Sequence, residues 1–263
     1  MSDTTRDWLG EPGDGTRPDP MRAARTGAKP ALPQRFYKQA GYAPAEGGFR
    51  LTLDGRPANT PARSPLVLPS RELAEAVAAE WEAQATAIDP ATMPLTRLAN
   101  TAIDGVAARR EAVADDLCAY AGTDLLAYRA AEPDRLVRAQ AEAWDPILAW
   151  AHEALGARLI LSEGVMHVSQ PPQAVEALSR AVRAVDDPFR LTALHTLTTL
   201  TGSLIIALAV LHGHLPVAAA WEAAHVDETY QFAVWGGDEE AEARLATRRA
   251  EFEAAARVLA AIP

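Results

Sequence analysis

For 31 consecutive residues, Leu191 through Trp221, the chain carries no Lys, Arg, Asp or Glu. A stretch this long without formal charge belongs in the interior of a protein or of a membrane, and that choice constrains everything packed around it. Its most apolar run, Leu204 to Leu211, is far shorter than the about 20 residues a bilayer crossing needs. Thr192, His195, Thr196, Thr198, Thr199, Thr201, Gly202 and Ser203 dilute what precedes it. The pattern predicts a buried central helix over 189–212. Within it, Gly202 and Ser203 are expected to let a neighbouring helix approach closely, and buried threonine hydroxyls to bond carbonyls of their own helix. A membrane-associated factor is the competing reading, and it needs 191–221 exposed.

Around this segment the chain after Ser70 reads as helical. Ser70 is placed to cap a helix on which Leu73, Ala76, Val77, Trp81 and Gln84 fall on one stripe. Asp89-Pro90 and Met93-Pro94 interrupt the pattern, and Leu95, Leu98, Ala102, Ile103 and Val106 restart it. Further helices are expected at about 111–122, 134–155, 172–185, 216–235 and 239–261. Pro146 should kink or divide the second of these, and Gly156 suits its C-terminal cap. Leu159-Ile160-Leu161 and 165–168 read as a hairpin or an extended excursion.

The beginning of the chain differs. Residues 1–34 combine five prolines and four glycines with no sustained apolar period, which predicts a disordered tail. It lacks an apolar signal-peptide core, and its five acids argue against a transit peptide, so the protein is expected to stay where it is made, in a bacterial cytoplasm. A mitochondrial matrix is the eukaryotic equivalent. From Arg35 to Pro69 the pattern is strand-like: Phe49, Leu51 and Leu53 alternate with Arg50 and Thr52, and Asp54-Gly55 supplies a hairpin turn. Leu66-Val67-Leu68 follows, and the prolines at 57, 61, 65 and 69 suit strand ends and sheet edges. The expected architecture is α+β: a β-containing domain with one helix over 35–92, then a helical domain over 93–263.

Motifs for chemistry are few. No phosphate-binding loop, dinucleotide turn, nucleophile elbow or zinc helix occurs. The single Cys118 excludes an internal disulfide and reads as a small hydrophobe. His212-Gly213-His214, with His195 and His225, offers imidazoles to a metal, but a glycine-terminated helix end explains the pair more simply. No cofactor or metal is expected. A net charge of −10 repels phosphate backbones and anionic membranes, so nucleic acid is not an expected partner.

That charge is unevenly spread. Between Arg190 and Arg244 there is no Lys or Arg, while Glu222, Asp227, Glu228, Asp238, Glu239, Glu240 and Glu242 supply seven acids. Tyr230, Phe232 and Trp235 are interleaved with them, then Gly236-Gly237. On a helix Glu228, Gln231 and Trp235 share a face. Two readings follow. Glu228, Gln231, Trp235, Glu239 and Glu240 form an acid-rimmed aromatic docking surface for a basic protein patch. Alternatively Trp235 is core, and Asp238, Glu239 and Glu240 merely favour the positive end of the last helix.

Several short motifs occur in a fixed order: Arg35-Phe36-Tyr37-Lys38, Leu53-Asp54-Gly55-Arg56-Pro57, Pro65-Leu66-Val67-Leu68-Pro69, Glu80-Trp81, and Met93-Pro94-Leu95-Thr96-Arg97 with Asn100-Thr101 and Asp104. They continue with Thr123-Asp124-Leu125-Leu126, Tyr128-Arg129, Trp144-Asp145-Pro146, Gly202-Ser203-Leu204, Asp227-Glu228, Tyr230-Gln231 and Trp235-Gly236. The series spans about residues 35–263 and resembles the assembly chaperones for the alpha subunit of F-type ATP synthase, found in mitochondria and some bacteria. The resemblance implies a small β-containing domain followed by a helical one, and no enzymatic activity. It also implies transient binding of the unassembled alpha subunit, which shields that subunit's interface from aggregation until the beta subunit covers it. A small-molecule enzyme is the alternative. It would need His195, His212 and the Asp227-Glu228 pair to converge on one pocket.

Overall fold

The computed structural model describes residues 32–164, 166–237 and 239–262. Residues 1–31 of the expected tail, and Asp238 of the acidic segment, lie outside them.

The alternation at Phe49, Leu51 and Leu53 becomes the central strand of a small antiparallel sheet. Strand β1 (Ala40–Ala45) pairs along the whole of β2 (Gly48–Leu53), Tyr42 standing opposite Leu51. Asp54 and Gly55 both take positive φ, 50° and 74°, and turn the chain into β3 (Arg56–Pro57); β4 (Val67–Leu68) closes on the other end of β2. Leu51 and Leu68, on one face, are fully buried. Helix α1 (Arg71–Glu82) covers that face, with Ser70 Oγ accepting from the Leu73 N–H at 3.1 Å and Leu73, Ala76 and Val77 turned inward. Gln34 forms a bridge with Ala87.

Helices follow. Their N-termini show how far local sequence decides boundaries: α2 (Pro94–Asn100) begins on a proline and borrows its cap from α1. Glu80 accepts from Leu95 N at 2.7 Å, Thr96 N at 2.8 Å and Thr96 Oγ1 at 2.7 Å. Burial raises the Glu80 carboxyl above its usual range despite these bonds. A π-helical turn, Thr101–Val106, leads to α3 (Arg110–Tyr120). After it, a 3₁₀ turn (Leu125–Ala127) leads into β5 (Tyr128–Arg129).

Helix α4 (Asp134–Trp150) continues through Pro146, which sits on its exposed face, and ends in a second π turn (Ala151–Leu155) capped by Gly156 at φ 76°. Among the described residues the segment after it forms no hairpin and runs as an extended excursion. Its strand β6 (Ser162–Glu163) pairs in parallel with β5, and Gln170 occupies the Ile160 N–H and C=O. Helix α5 (Pro172–Arg183) follows.

From Leu191 to Ala209 the uncharged segment is largely buried, as expected, while His212, Gly213, His214, Pro216 and Ala218 after it are exposed, and the buried part is not one helix. It divides into α6 (Pro188–Thr201) and α7 (Leu204–Leu211). Gly202 takes φ 69° and ends α6, while Ser203 caps α7 through Oγ, accepting from Ile206 N at 3.1 Å. The pair therefore serves a chain break instead of a close helix crossing. The threonines do return their protons to their own helix, Thr198 Oγ1 to Leu194 O and Thr201 Oγ1 to Leu197 O, each at 2.8 Å. The helix expected over 216–235 likewise divides, at His225, into α8 (Val217–Ala224) and α9 (Val226–Trp235). Last comes α10 (Glu239–Ala261).

One apolar cluster runs from Leu51, Leu68 and Leu73 through Leu95 and Trp144 to Phe252 and Ile262. Gln34 to the C-terminus forms one compact unit in which α10 lies against α6. Among the described residues no helix is long and apolar enough to cross a membrane.

Candidate functional site

The acidic, aromatic segment falls on α9 and the first half of α10. Asp227 and Glu228 sit in the first turn of α9, where a helix N-terminus favours negative charge. Gln140 of α4 anchors that turn: its Nε2 donates to Asp227 Oδ1 at 2.7 Å, while its Oε1 accepts from Ala130 N at 2.8 Å. Beyond this anchor α9 has no buried side chain, and α10 has none before Phe252. Gly236, at φ 82°, ends α9, and Glu239, Glu240 and Glu242 open α10.

At the end of α9 stand Val234, 53% exposed, and Trp235, 83% exposed. Trp235 is therefore not core. An indole this exposed forgoes about 2 kcal/mol or more of burial. Glu239, four residues further on at the start of α10, is exposed, and Glu240 Oε1 accepts from Arg244 Nη1 at 2.6 Å, an i,i+4 pair on the surface of α10. Glu228 and Gln231 line a cleft of about 410 Å³ with Leu125, Gly202, His225 and Arg248; Arg248 donates to Leu200 O at 2.7 Å. Trp235, one turn beyond Gln231, lies off this cleft at the helix end. Of the five expected docking residues, two thus flank a cleft and three surround the turn after α9.

The convergence an enzyme reading required does not form. His195 Nε2 meets Asp116 Oδ2 at 2.8 Å in a cleft between α3 and α6. His212 lines another, with Asp187 and Arg190, and its ring and that of His214 lie against Trp150 at 5.9 and 5.0 Å. Asp227 and Glu228 line a third. His225 is buried, its Nδ1 2.8 Å from Trp221 O. His195, the His212–His214 pair on Trp150, and His225 thus sit in three separate places. Among the described residues no three His, Cys, Asp or Glu side chains are placed to hold a metal ion.

The sequence model of the ATP12 chaperone proteins matches residues 34–152. The crystal structure of Atp12 from Paracoccus denitrificans is 47% identical over 88% of this chain and 99% of its own, with a TM-score of 0.81. A single-substitution variant of that protein matches at 46% identity and the same TM-score, covering 88% of this chain and 98% of its own. The Atu1473 protein of Agrobacterium tumefaciens is 48% identical over 94% of this chain and 93% of its own, with a TM-score of 0.85. The chain belongs to the ATP12 chaperone family. Membership bears out the resemblance drawn from the ordered motifs, and with it the coarse function of an ATP synthase assembly chaperone.

Many of the ATP12-like motifs touch one another. Glu80 caps the helix of Pro94-Leu95-Thr96, and Asp104 accepts from Thr60 Oγ1 at 2.7 Å, a bond that holds its carboxyl below the usual range. Arg129 donates to Asp145 Oδ1 at 2.7 Å and lies 5.1 Å over the Trp144 ring, whose Nε1 donates to Ala223 O at 2.7 Å. Arg97 pairs with Glu251 at 3.1 Å, and the Trp81 carbonyl accepts from Tyr37 Oη at 2.6 Å. Asn100, half-buried, holds an Oδ1 without a hydrogen-bond partner among the described residues. These motif residues build the scaffold. Among the described residues, α9 joins that scaffold through the Asp227 bond to Gln140 and the partly buried Val226 at its start. Val234 and Arg248 also stand there without a motif to mark them; the signal for Val234 is a large apolar residue one step before Trp235 and the terminating Gly236.

Proposed function

We propose that this ATP12-family chain binds the unassembled alpha subunit of F-type ATP synthase, shields its subunit interface from aggregation and is displaced when the beta subunit covers that surface. Trp235, with Val234, is the apolar anchor, and Glu228, Gln231, Glu239 and Glu240 are the polar rim that orients a basic client patch. The observation that carries this reading is the exposure of Trp235 at the end of a helix with no buried side chain. Rigid aromatic anchors within a polar rim dominate protein interfaces, and the acidic rim adds charge selectivity.

The mechanism is a binding equilibrium. A chain that holds a client without nucleotide hydrolysis releases it only when a competing surface binds better. Its contact is therefore weaker than the final alpha–beta interface, as a small anchor on one helix end would be. The chain acts without catalysis, in the cytoplasm of a bacterial cell. Co-expression with the cognate alpha subunit tests this: soluble, co-purifying alpha subunit is expected, released on adding beta subunit. Alpha subunit that stays insoluble and does not co-purify contradicts it.

A further inference from the structure

Between the π turn Thr101–Val106, α3 and α6 lies a cavity of about 380 Å³, lined by none of the docking residues. The π turn, closed by the bond from Ala107 N to Ala102 O, widens the backbone at this place. Gly105 adds no side chain there, and Arg109 folds back over it, Nη2 lying 3.8 Å from where a Gly105 Cβ would stand. Val106 and Val113 supply apolar wall, and α6 contributes Thr192 and Thr196. Both threonine hydroxyls donate to carbonyls of their own helix, to Pro188 O at 2.7 Å and Thr192 O at 2.9 Å, so neither offers a ligand its proton.

Two charged side chains and one imidazole complete the lining. Asp116 is engaged by His195 at 2.8 Å. Arg109 makes only a 3.4 Å bond from Nε to Gly105 O and has no carboxylate partner among the described residues. We propose that this cavity binds a small apolar monocarboxylate, its carboxylate on the Arg109 guanidinium and its hydrocarbon between Val106 and Val113. The size is near the lower end of ligand sites, about 300–1,000 Å³, and suits a short acyl or aryl acid better than a nucleotide. One uncompensated cation asks for one negative charge. A guanidinium fork matches a planar carboxylate bidentately, whereas a phosphate dianion would set its second charge against Asp116. Because Arg109 is exposed, the ion pair alone is weak and the apolar wall must supply the rest.

The test uses the full chain, labelled with nitrogen-15 and titrated with octanoate below its micelle concentration. Saturable amide shifts are expected at Val106, Val113 and Thr196 and not at Trp235. Octan-1-ol should bind roughly two- to fivefold more weakly, the worth of an exposed ion pair, and Arg109→Gln, at an exposed position, should erase that difference. Val113→Trp, which fills the cavity, should abolish both where its spectrum remains folded. No saturable shift at these amides, equal binding of the alcohol, or unchanged octanoate affinity in Arg109→Gln would each overturn the proposal.

Discussion

Ser203 Oγ donates to Asp124 Oδ1 at 2.8 Å, joining two residues 79 positions apart at the break between α6 and α7. The same carboxylate accepts from Leu126 N and, through Oδ2, from Ile205 N, both at 3.0 Å. Asp124 is wholly buried and has no cation among these partners; backbone N–H groups at the start of α7 take that place. Leu125 and Gly202, the residues next to this pair, line the cleft that also holds Glu228 and Gln231. The buried bond thereby fixes one wall of the surface assigned to the client.

Burial pushes the Asp124 carboxyl up to about 6, against the hydrogen bonds that lower it. A carboxyl whose folded-state pKa exceeds its unfolded value binds its proton more tightly in the fold. The stability tied to it is fully present below about pH 4 and is lost as the pH rises through about 6, on the order of 3 kcal/mol in all. Asp124→Asn removes this titration. The stability advantage of the wild type over that variant is expected to shrink between pH 4 and pH 7, read from denaturant unfolding at each pH; a constant difference contradicts the assignment.

Glu80 holds the first turn of α2 from outside the helix. Glu80→Ala leaves two buried-side N–H groups and the Thr96 hydroxyl without their acceptor, at a cost of about 2–3 kcal/mol. Urea unfolding should show that loss, with Glu80→Gln recovering part of it.

Leu68 of the sheet and Phe252 of the last helix belong to one apolar cluster. Leu68→Ala should therefore cost about 2–5 kcal/mol and lower the unfolding midpoint of sheet and helices together. Hydrogen exchange at Leu51 and Leu208 reports both ends. If residues 35–92 and 93–263 unfold as separate domains, the variant will accelerate exchange at Leu51 alone.

Local chemistry made some elements legible. The alternation around Leu51, the Asp54-Gly55 turn and the Ser70 cap each carry their structure in adjacent residues. Strand β1 was not readable because Gly41 and Pro44 are poor strand formers, and its pairing with β2 makes it a strand. In the sequence Gly202 resembles a small packing residue because apolar residues continue on both sides; only its positive φ reveals a helix end. The period placed Glu228, Gln231 and Trp235 on one face, but whether a face is covered depends on residues far away in sequence. Here Gln140 reaches Asp227 and no described residue buries Trp235. The convergence of His195, His212 and Glu228 was illegible for the same reason, since no spacing could tell that they line different clefts.

The most direct measurement is the affinity of the purified chain for unassembled alpha subunit, wild type against Trp235→Ala, alongside the thermal midpoint of each. A central aromatic anchor is worth about 2 kcal/mol or more, roughly thirtyfold in affinity. Trp235→Ala should lose at least that much binding with an unchanged midpoint, and Glu228→Lys or Glu240→Lys should weaken binding in the same direction. Full affinity for the alpha subunit in Trp235→Ala would contradict the account.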